Sequence, residues 1–182
     1  MAMDKISLHG KKFVPYIKYE EIMSFIDQVA DKLNEDYGND SDIPILLCTL
    51  NGAMMFTSEI MKRLNFDCEL MSVKIRSYSG AHTTGVIQET MGLTGDVKGR
   101  RIIIMEDIVD TGTTMAYLTD LLREKEARDV KICTMLFKPS QYKKDLKIDY
   151  VGRVVENKFI LGFGLDYDDL GRQYKDIYVL DE

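Results

Sequence analysis

Two kinds of apolar pattern alternate along the chain. Residues 43–50, Ile-Pro-Ile-Leu-Leu-Cys-Thr-Leu, form a continuous apolar run of strand length, the pattern of a strand buried on both faces of a parallel sheet. Residues 101–105, Arg-Ile-Ile-Ile-Met, are the strongest strand in the sequence, and 130–137 give the next one. Between and before these runs the period changes. Ile22, Phe25, Ile26, Val29, Ala30 and Leu33 recur at helical spacing over 19–33, which predicts an amphipathic helix ending before Tyr37-Gly38-Asn39. Met54, Phe56, Ile60, Met61 and Leu64 predict a second helix over 53–64, and Leu118, Leu121 and Leu122 a third over 115–124. Residues 68–75 return to a strand after the second helix, so strand, helix and strand follow one another twice. Each set is a crossover unit. The fold class predicted is α/β, an open, mostly parallel twisted sheet flanked by helices, with ligands gathering at the carboxyl ends of its strands.

Weaker signals fill the remainder. A short apolar stretch at 13–17 contains Pro15, short strands are predicted at 86–91, 150–152 and 159–164, and 177–180 closes the chain. Residues 77–85, Ser-Tyr-Ser-Gly-Ala-His-Thr-Thr-Gly, are small and polar and read as a mobile loop rather than a linker. There is no internal repeat and no low-complexity tract.

Composition narrows the function classes. With 182 residues, 45% of them hydrophobic, the chain can bury one substantial core, and one domain over 1–182 is expected. The 24 basic residues against 30 acidic ones give a net charge of -6, and the pI is near 5.1, which argues against nucleic acid as a partner. Cys48, Cys68 and Cys133 sit among apolar or strand-like neighbours without CxxC spacing, and are expected to be reduced core residues. His9 and His82 are far apart, so any metal should be a hard, oxygen-bound cation. No secretory signal or bilayer-length apolar run is evident, so no membrane association is expected and the cytoplasm is the expected compartment.

The densest chemistry follows the strongest strand. Its apolar residues lead into Glu106, Asp107 and Asp110, and the chain then turns through Thr111-Gly112-Thr113-Thr114 into a helix. Hydroxyls, free backbone N–H groups and the helix N-terminus together suit a phosphate, while the carboxylates suit ribose hydroxyls or magnesium. The Walker spacing and its lysine are absent. One molecule with both ends, phosphoribosyl pyrophosphate, would satisfy the whole segment. Read by spacing alone, the same acids could equally stabilise a helix start, with Thr111 as N-cap.

The run from Arg101 to Thr114 resembles the phosphoribosyl pyrophosphate motif of type I phosphoribosyltransferases, and the resemblance extends over nearly the whole chain, most closely to the hypoxanthine (guanine) phosphoribosyltransferases. It implies that fold, with a small hood built from N- and C-terminal segments. Leu50-Asn51-Gly52 is similar to the family's pyrophosphate loop, where a non-proline cis peptide turns N–H groups toward the ligand; Asn51 stands where many relatives carry lysine. By itself Asn-Gly is a common turn. Arg76-Ser77-Tyr78 resembles the start of a lid that closes over the reacting centre. Lys138 resembles the lysine that donates to the purine 6-oxo group, although a lysine after a strand is usually a solvated charge.

Over 157–167 the resemblance implies that Phe159 stacks on the purine, that the Ile160 backbone pairs with its edge, and that Asp166 approaches the base and a magnesium-bound water. Phe163 reads instead as a core aromatic. Arg172 corresponds to an arginine that clamps pyrophosphate. The run Ser140-Gln141-Tyr142-Lys143-Lys144 lacks the arginine that some relatives place shortly after the lysine.

The implied activity is transfer of a 5-phosphoribosyl group to N9 of hypoxanthine and also guanine, giving IMP or GMP and pyrophosphate. Asp110 is the implied general base, Thr111, Gly112, Thr113 and Thr114 hold the 5′-phosphate, and Mg2+ is the cofactor, met by Glu106, Asp107 and Asp166. The expected partners are phosphoribosyl pyrophosphate and a 6-oxopurine, in a homodimer or homotetramer. Two other readings stay open: a same-fold transferase for xanthine or another base, and a nucleotide-sensing, RNA-binding regulator.

Overall fold

A computed structural model describes residues 5–77 and 87–181. Its elements in chain order are β1 (Ile6–Leu8), β2 (Lys11–Ile17), α1 (Tyr19–Tyr37), β3 (Ile45–Leu50), α2 (Met54–Met61), β4 (Glu69–Ser77), β5 (Ile87–Met91), β6 (Arg101–Val109), α3 (Thr113–Glu124), β7 (Asp129–Phe137), β8 (Tyr150–Val154), β9 (Ile160–Leu161) and β10 (Ile177–Leu180). Six strands form one sheet in the order β5-β4-β3-β6-β7-β8, parallel except for β5, which runs antiparallel to β4.

The continuous apolar runs are explained by two filled faces. Leu46, Ile103, Met105, Cys133 and Met135 pack with α1 and α2, whereas Ile45, Leu47, Ile102, Ile104 and Ile132 pack with Met115, Leu118 and Leu122 of α3. Successive strand residues point to opposite faces, so both sets must be apolar. Burying Ile102–Met105 in the middle of the sheet fixes the register of β6 against β3 and β7, and therefore fixes where Glu106, Asp107 and Asp110 emerge.

The second sheet is antiparallel, ordered β1-β2-β10-β9, and assembles chain ends around Phe13, Leu161 and Tyr178. This is the hood. Pro15 is tolerated in β2 because β1 pairs no farther than Phe13 and the β10 register shifts beside it. Asp176 ties hood to core by accepting the Tyr19 N–H at 2.8 Å, where α1 begins.

Several expectations shift. β1 was absent from the pattern, being three residues long. The first helix runs through Tyr37, whose ring is buried against Phe66. The second ends at Met61, three residues short of the predicted end. β6 continues four residues beyond its apolar run, since Ile108 and Val109 go on pairing with β7. The strand expected over 159–164 shrinks to two residues and belongs to the hood, because Gly162, Phe163 and Gly164 take φ of 105°, 47° and 96° and turn the chain away. Phe163 is 1% exposed, the core aromatic that was expected. All three cysteines are free, with Cys48 and Cys133 buried and Cys68 half-buried. Among the described residues no helix is long and apolar enough to cross a membrane.

Arg63, just past α2, locks α1 to α2. It donates to Asp27, to the Glu59 carbonyl at 2.9 Å and to the Glu59 carboxylate at 2.8 Å, and it reaches the Met23 sulfur. Arg63→Met is therefore expected to lower unfolding stability by about 1–2 kcal/mol, measured by urea melts. Lys62 and then Arg63 hold the Glu59 carboxyl below its ordinary value of 4.5. A lowered folded value stabilises the protein above the unfolded value and loses that contribution as pH falls through the folded one. The gap between wild type and Glu59→Gln should be full at pH 7 and close as pH falls from 4.5 through the lowered folded value.

Candidate functional site

The carboxyl ends of β3 and β6 and the segment after β9 enclose a cavity of about 300 Å³. Its walls carry Thr49, Leu50, Asn51 and Gly52 from the first, Glu106, Asp107 and Ile108 from the second, and Asp166 and Arg172 from the third, with Ile75 and Thr114. The Leu50-Asn51 peptide bond is cis, as the loop resemblance implied. A β-carbon at Gly52 would overlap the Asp107 carboxylate, so any side chain here must displace that acid.

Glu106 is not at the strand end but inside β6, opposite Thr134 of β7, and is 8% exposed. Burial pushes its carboxyl well above the usual carboxylate range, and the charge of Asp107 adds to that push. The Asp107 N–H donates to Glu106 Oε1 at 3.2 Å, and Asp107 Oδ1 accepts the Ile108 N–H at 2.9 Å. The Thr49 hydroxyl donates to the Met105 carbonyl at 2.8 Å, so the neighbouring strand holds the backbone from which the acids project.

The hydroxyl loop opens α3. Gly112, at φ 81°, occupies the N-cap, where no side chain completes a cap; the Thr113 N–H donates to the Thr111 hydroxyl at a long 3.4 Å, and the helix N-terminus offers its partial positive charge to a ligand. Thr111 is thus not the N-cap. Its hydroxyl lies 3.0 Å from that of Thr113, leaving Thr111, Thr113 and Thr114 clustered about the helix start.

On the other side of this loop stand Asp110, Lys138 and Phe159. Lys138 is 8% exposed, which overturns its reading as a solvated charge. It donates to the Lys158 carbonyl at 2.9 Å and lies 3.9 Å from Asp110 Oδ2. Asp110 Oδ1 is buried and, among the described residues, accepts no hydrogen bond. Phe159 is 43% exposed; its ring meets the edge of Tyr167 at 5.1 Å and Phe13 at 6.1 Å, and the Lys11 ammonium lies 5.9 Å from its centroid, a cation that a stacking base would have to displace or share. Ile160 is buried and paired to Val179, and the preceding carbonyl of Phe159 accepts the Leu180 N–H.

Asp166 and Arg172 meet directly. Arg172 pairs with Asp166 Oδ1 at 2.8 Å and donates to the Gly164 carbonyl at 2.8 Å, while Asp166 Oδ2 accepts the Asp169 N–H. Thus Glu106, Asp107, Asp166 and Arg172 line one cavity, as their separate motifs required. Among the described residues no three metal-binding side chains are gathered closely enough to hold an ion alone. Among the described residues the lining has carboxylates and carbonyls and neither sulfur nor imidazole, which fits a magnesium ion held by one or two carboxylates together with oxygens of a ligand.

Arg76 and Ser77 end β4 beside β5, and Tyr78 and the rest of the expected lid lie outside the described residues. Thr49, Ile75 and Tyr167 join the site without having been singled out. Tyr167 could have been suspected from its place one residue after Asp166; Thr49 and Ile75 carry no sequence signal beyond strand membership.

Comparison with known proteins gives three concordant findings. A family described as the phosphoribosyl transferase domain matches residues 17–168. A hypoxanthine-guanine phosphoribosyltransferase of Streptococcus thermophilus is 35% identical over 164 residues, covering 90% of this chain and 90% of the relative. A hypoxanthine-guanine-xanthine phosphoribosyltransferase of Tritrichomonas foetus is also 35% identical, covering 90% and 88%. Among solved structures, a hypoxanthine phosphoribosyltransferase of Staphylococcus aureus superposes with a TM-score of 0.85 at 30% identity, over 92% of this chain and 90% of that one.

Proposed function

The chain belongs to the phosphoribosyltransferase family and has the type I fold, and from that premise we propose that it transfers a 5-phosphoribosyl group from phosphoribosyl pyrophosphate to N9 of hypoxanthine and guanine. The enzyme is a purine-salvage transferase making IMP or GMP and releasing pyrophosphate. The observation that carries the substrate assignment is one of placement. Acids for ribose, an open helix N-terminus for phosphate and a buried lysine beside an exposed phenylalanine for a base lie side by side at one sheet edge.

Each group then has a physical task. Thr111, Gly112, Thr113 and Thr114 hold the 5′-phosphate, a nonreacting handle whose binding energy positions the anomeric carbon. Glu106 and Asp107 orient the ribose hydroxyls. Leu50, Asn51 and Gly52 present backbone to the pyrophosphate, and the Arg172 guanidinium adds paired donors. Magnesium, with Asp107, Glu106 and Asp166 as its candidate ligands, supplies neutralising charge to the departing pyrophosphate when bound. Phe159 stacks on the purine, the Ile160 backbone meets its edge, Lys138 donates to the 6-oxo oxygen, and Asp110 accepts the purine proton from N7 as N9 bonds to carbon. Arg76, Ser77 and Tyr78 belong to the lid that excludes water from the reacting centre.

Assays with hypoxanthine, guanine, xanthine and adenine, each with phosphoribosyl pyrophosphate and magnesium, test the assignment. Turnover of hypoxanthine is expected, and activity restricted to adenine would defeat it. Gly52→Ala should raise KM for phosphoribosyl pyrophosphate about tenfold with little change in KM for the base, because the new methyl displaces the Asp107 carboxylate and not the base pocket. Assembly as a homodimer or homotetramer, in the cytoplasm, completes the proposal, and light scattering in solution checks the assembly.

A further inference from the structure

The loop assigned to the 5′-phosphate contains no cation. Thr111, Gly112, Thr113 and Thr114 offer hydroxyls and amides to a dianion, and the nearest basic side chain of α3, Arg123, is at the opposite end of the helix. A second segment, 138–146 after β7, leans on this loop and is fastened to it. The Lys143 N–H donates to the Thr111 carbonyl at 3.2 Å, and the Tyr142 hydroxyl donates to the Leu146 carbonyl at 2.7 Å. The Tyr142 ring, set edge-on to Phe137 at 5.3 Å, fills the space that a side chain on residue 112 would need.

The Lys144 stem occupies the rest of that space. Its Cγ lies 3.0 Å from where a β-carbon of Gly112 would be, and the ammonium is three bonds farther along a flexible chain. Lys143 and Lys144 are exposed and form no ion pair among the described residues, whereas Lys138 and Lys147 pair with Asp110 and Asp149; of the two unpaired lysines only the Lys144 stem lies against Gly112. An ammonium on a stem crossing the N-cap of α3 meets the charge that the loop leaves unbalanced.

We propose that Lys144 is a phosphate-binding residue, supplying from the neighbouring loop the cation that the Thr111–Thr114 cradle lacks. Gly112 is then required twice, for its φ of 81° and for the passage of the lysine stem. The proposal rests on the reading of this loop as the 5′-phosphate site. It makes that site a composite of two segments, and it leaves the base pocket out of the lysine's reach of action.

The test uses the full chain and calorimetric binding of ribose 5-phosphate, with unphosphorylated ribose as control. Lys144→Met should weaken ribose 5-phosphate about tenfold and raise KM for phosphoribosyl pyrophosphate to match, with KM for hypoxanthine, kcat and the melting temperature unchanged. Lys144→Arg should restore most of the affinity, and Lys143→Met, which keeps the backbone amide, should bind as wild type. If Thr114→Val weakens ribose 5-phosphate and Lys144→Met does not, the lysine assignment is wrong while the site stands. If neither variant weakens it, the 5′-phosphate reading itself fails and takes the proposal with it. Equal weakening by Lys143→Met would show a diffuse surface charge effect and also overturn it.

Discussion

Asp110→Asn is expected to lower kcat about 100-fold while leaving the Kd for phosphoribosyl pyrophosphate within about twofold of wild type. The substitution keeps the size and planarity of the side chain and removes its ability to take a proton. Asp110 Oδ1 is buried without a donor among the described residues, so the change should not break a hydrogen bond that holds them. The other oxygen faces the Lys138 ammonium across 3.9 Å, a separation that keeps the carboxylate near a cation without a direct hydrogen bond to it. A base lying in front of both groups can then donate to the carboxylate and accept from the ammonium. Measuring kcat for hypoxanthine beside equilibrium binding of phosphoribosyl pyrophosphate separates the outcomes. Equal turnover in mutant and wild type removes Asp110 from proton transfer, and a loss confined to binding would make it a substrate-orienting residue instead.

Much of the frame that holds Asp110 was legible in the sequence because it follows from burial. Two filled sheet faces demand apolar residues over 45–48 of β3 and 102–105 of β6, and that demand overrides all local alternatives there. The crossover units follow from the change of period between those runs. The hood was less legible. Its strands are two to seven residues long, and they bury only a small cluster about Phe13, Leu161 and Tyr178, so neither length nor periodicity separates them from loops. The turn at Gly162, Phe163 and Gly164 defeated the strand reading of 159–164, since a glycine inside an apolar run gives no sign by itself of positive φ.

Within the site, identity was legible and environment was not. The acids and the hydroxyl loop could be named from their order along the chain, and Lys138 only through the family resemblance. That Glu106 lies inside β6 could not, because its burial depends on β7 continuing alongside as far as Phe137. The pairing of Asp166 with Arg172 likewise depends on a backbone reversal through Asp168 and Asp169, both at positive φ, that brings the two side chains into one cavity. Residues separated by tens of positions become neighbours only through the sheet and hood, and a pattern along one dimension does not hold those distances.

Lys138 is where this difference matters most for specificity, and Lys138→Met is expected to lower kcat/KM for hypoxanthine about 100-fold with a much smaller change for adenine. Lys138 is 8% exposed and its ammonium donates to one backbone carbonyl, that of Lys158, so in the proposed base pocket it acts from a site with little water around the side chain. A 6-oxo oxygen accepts from it; a 6-amino group offers only donors at that position. A hydrogen bond from a charged donor is worth about 1.5–3 kcal/mol, and a factor of 100 corresponds to about 2.7 kcal/mol, inside that range. Methionine preserves the stem's volume, so the core around β7 should remain packed and the melting temperature should move little. The Lys158 carbonyl precedes Phe159, however, and losing its partner could loosen the aromatic wall as well. Competition between hypoxanthine and adenine distinguishes the two effects: a loosened wall weakens both bases equally, whereas a lost donor falls on the 6-oxopurine alone. An unchanged base preference in the Met variant would take the specificity role away from Lys138.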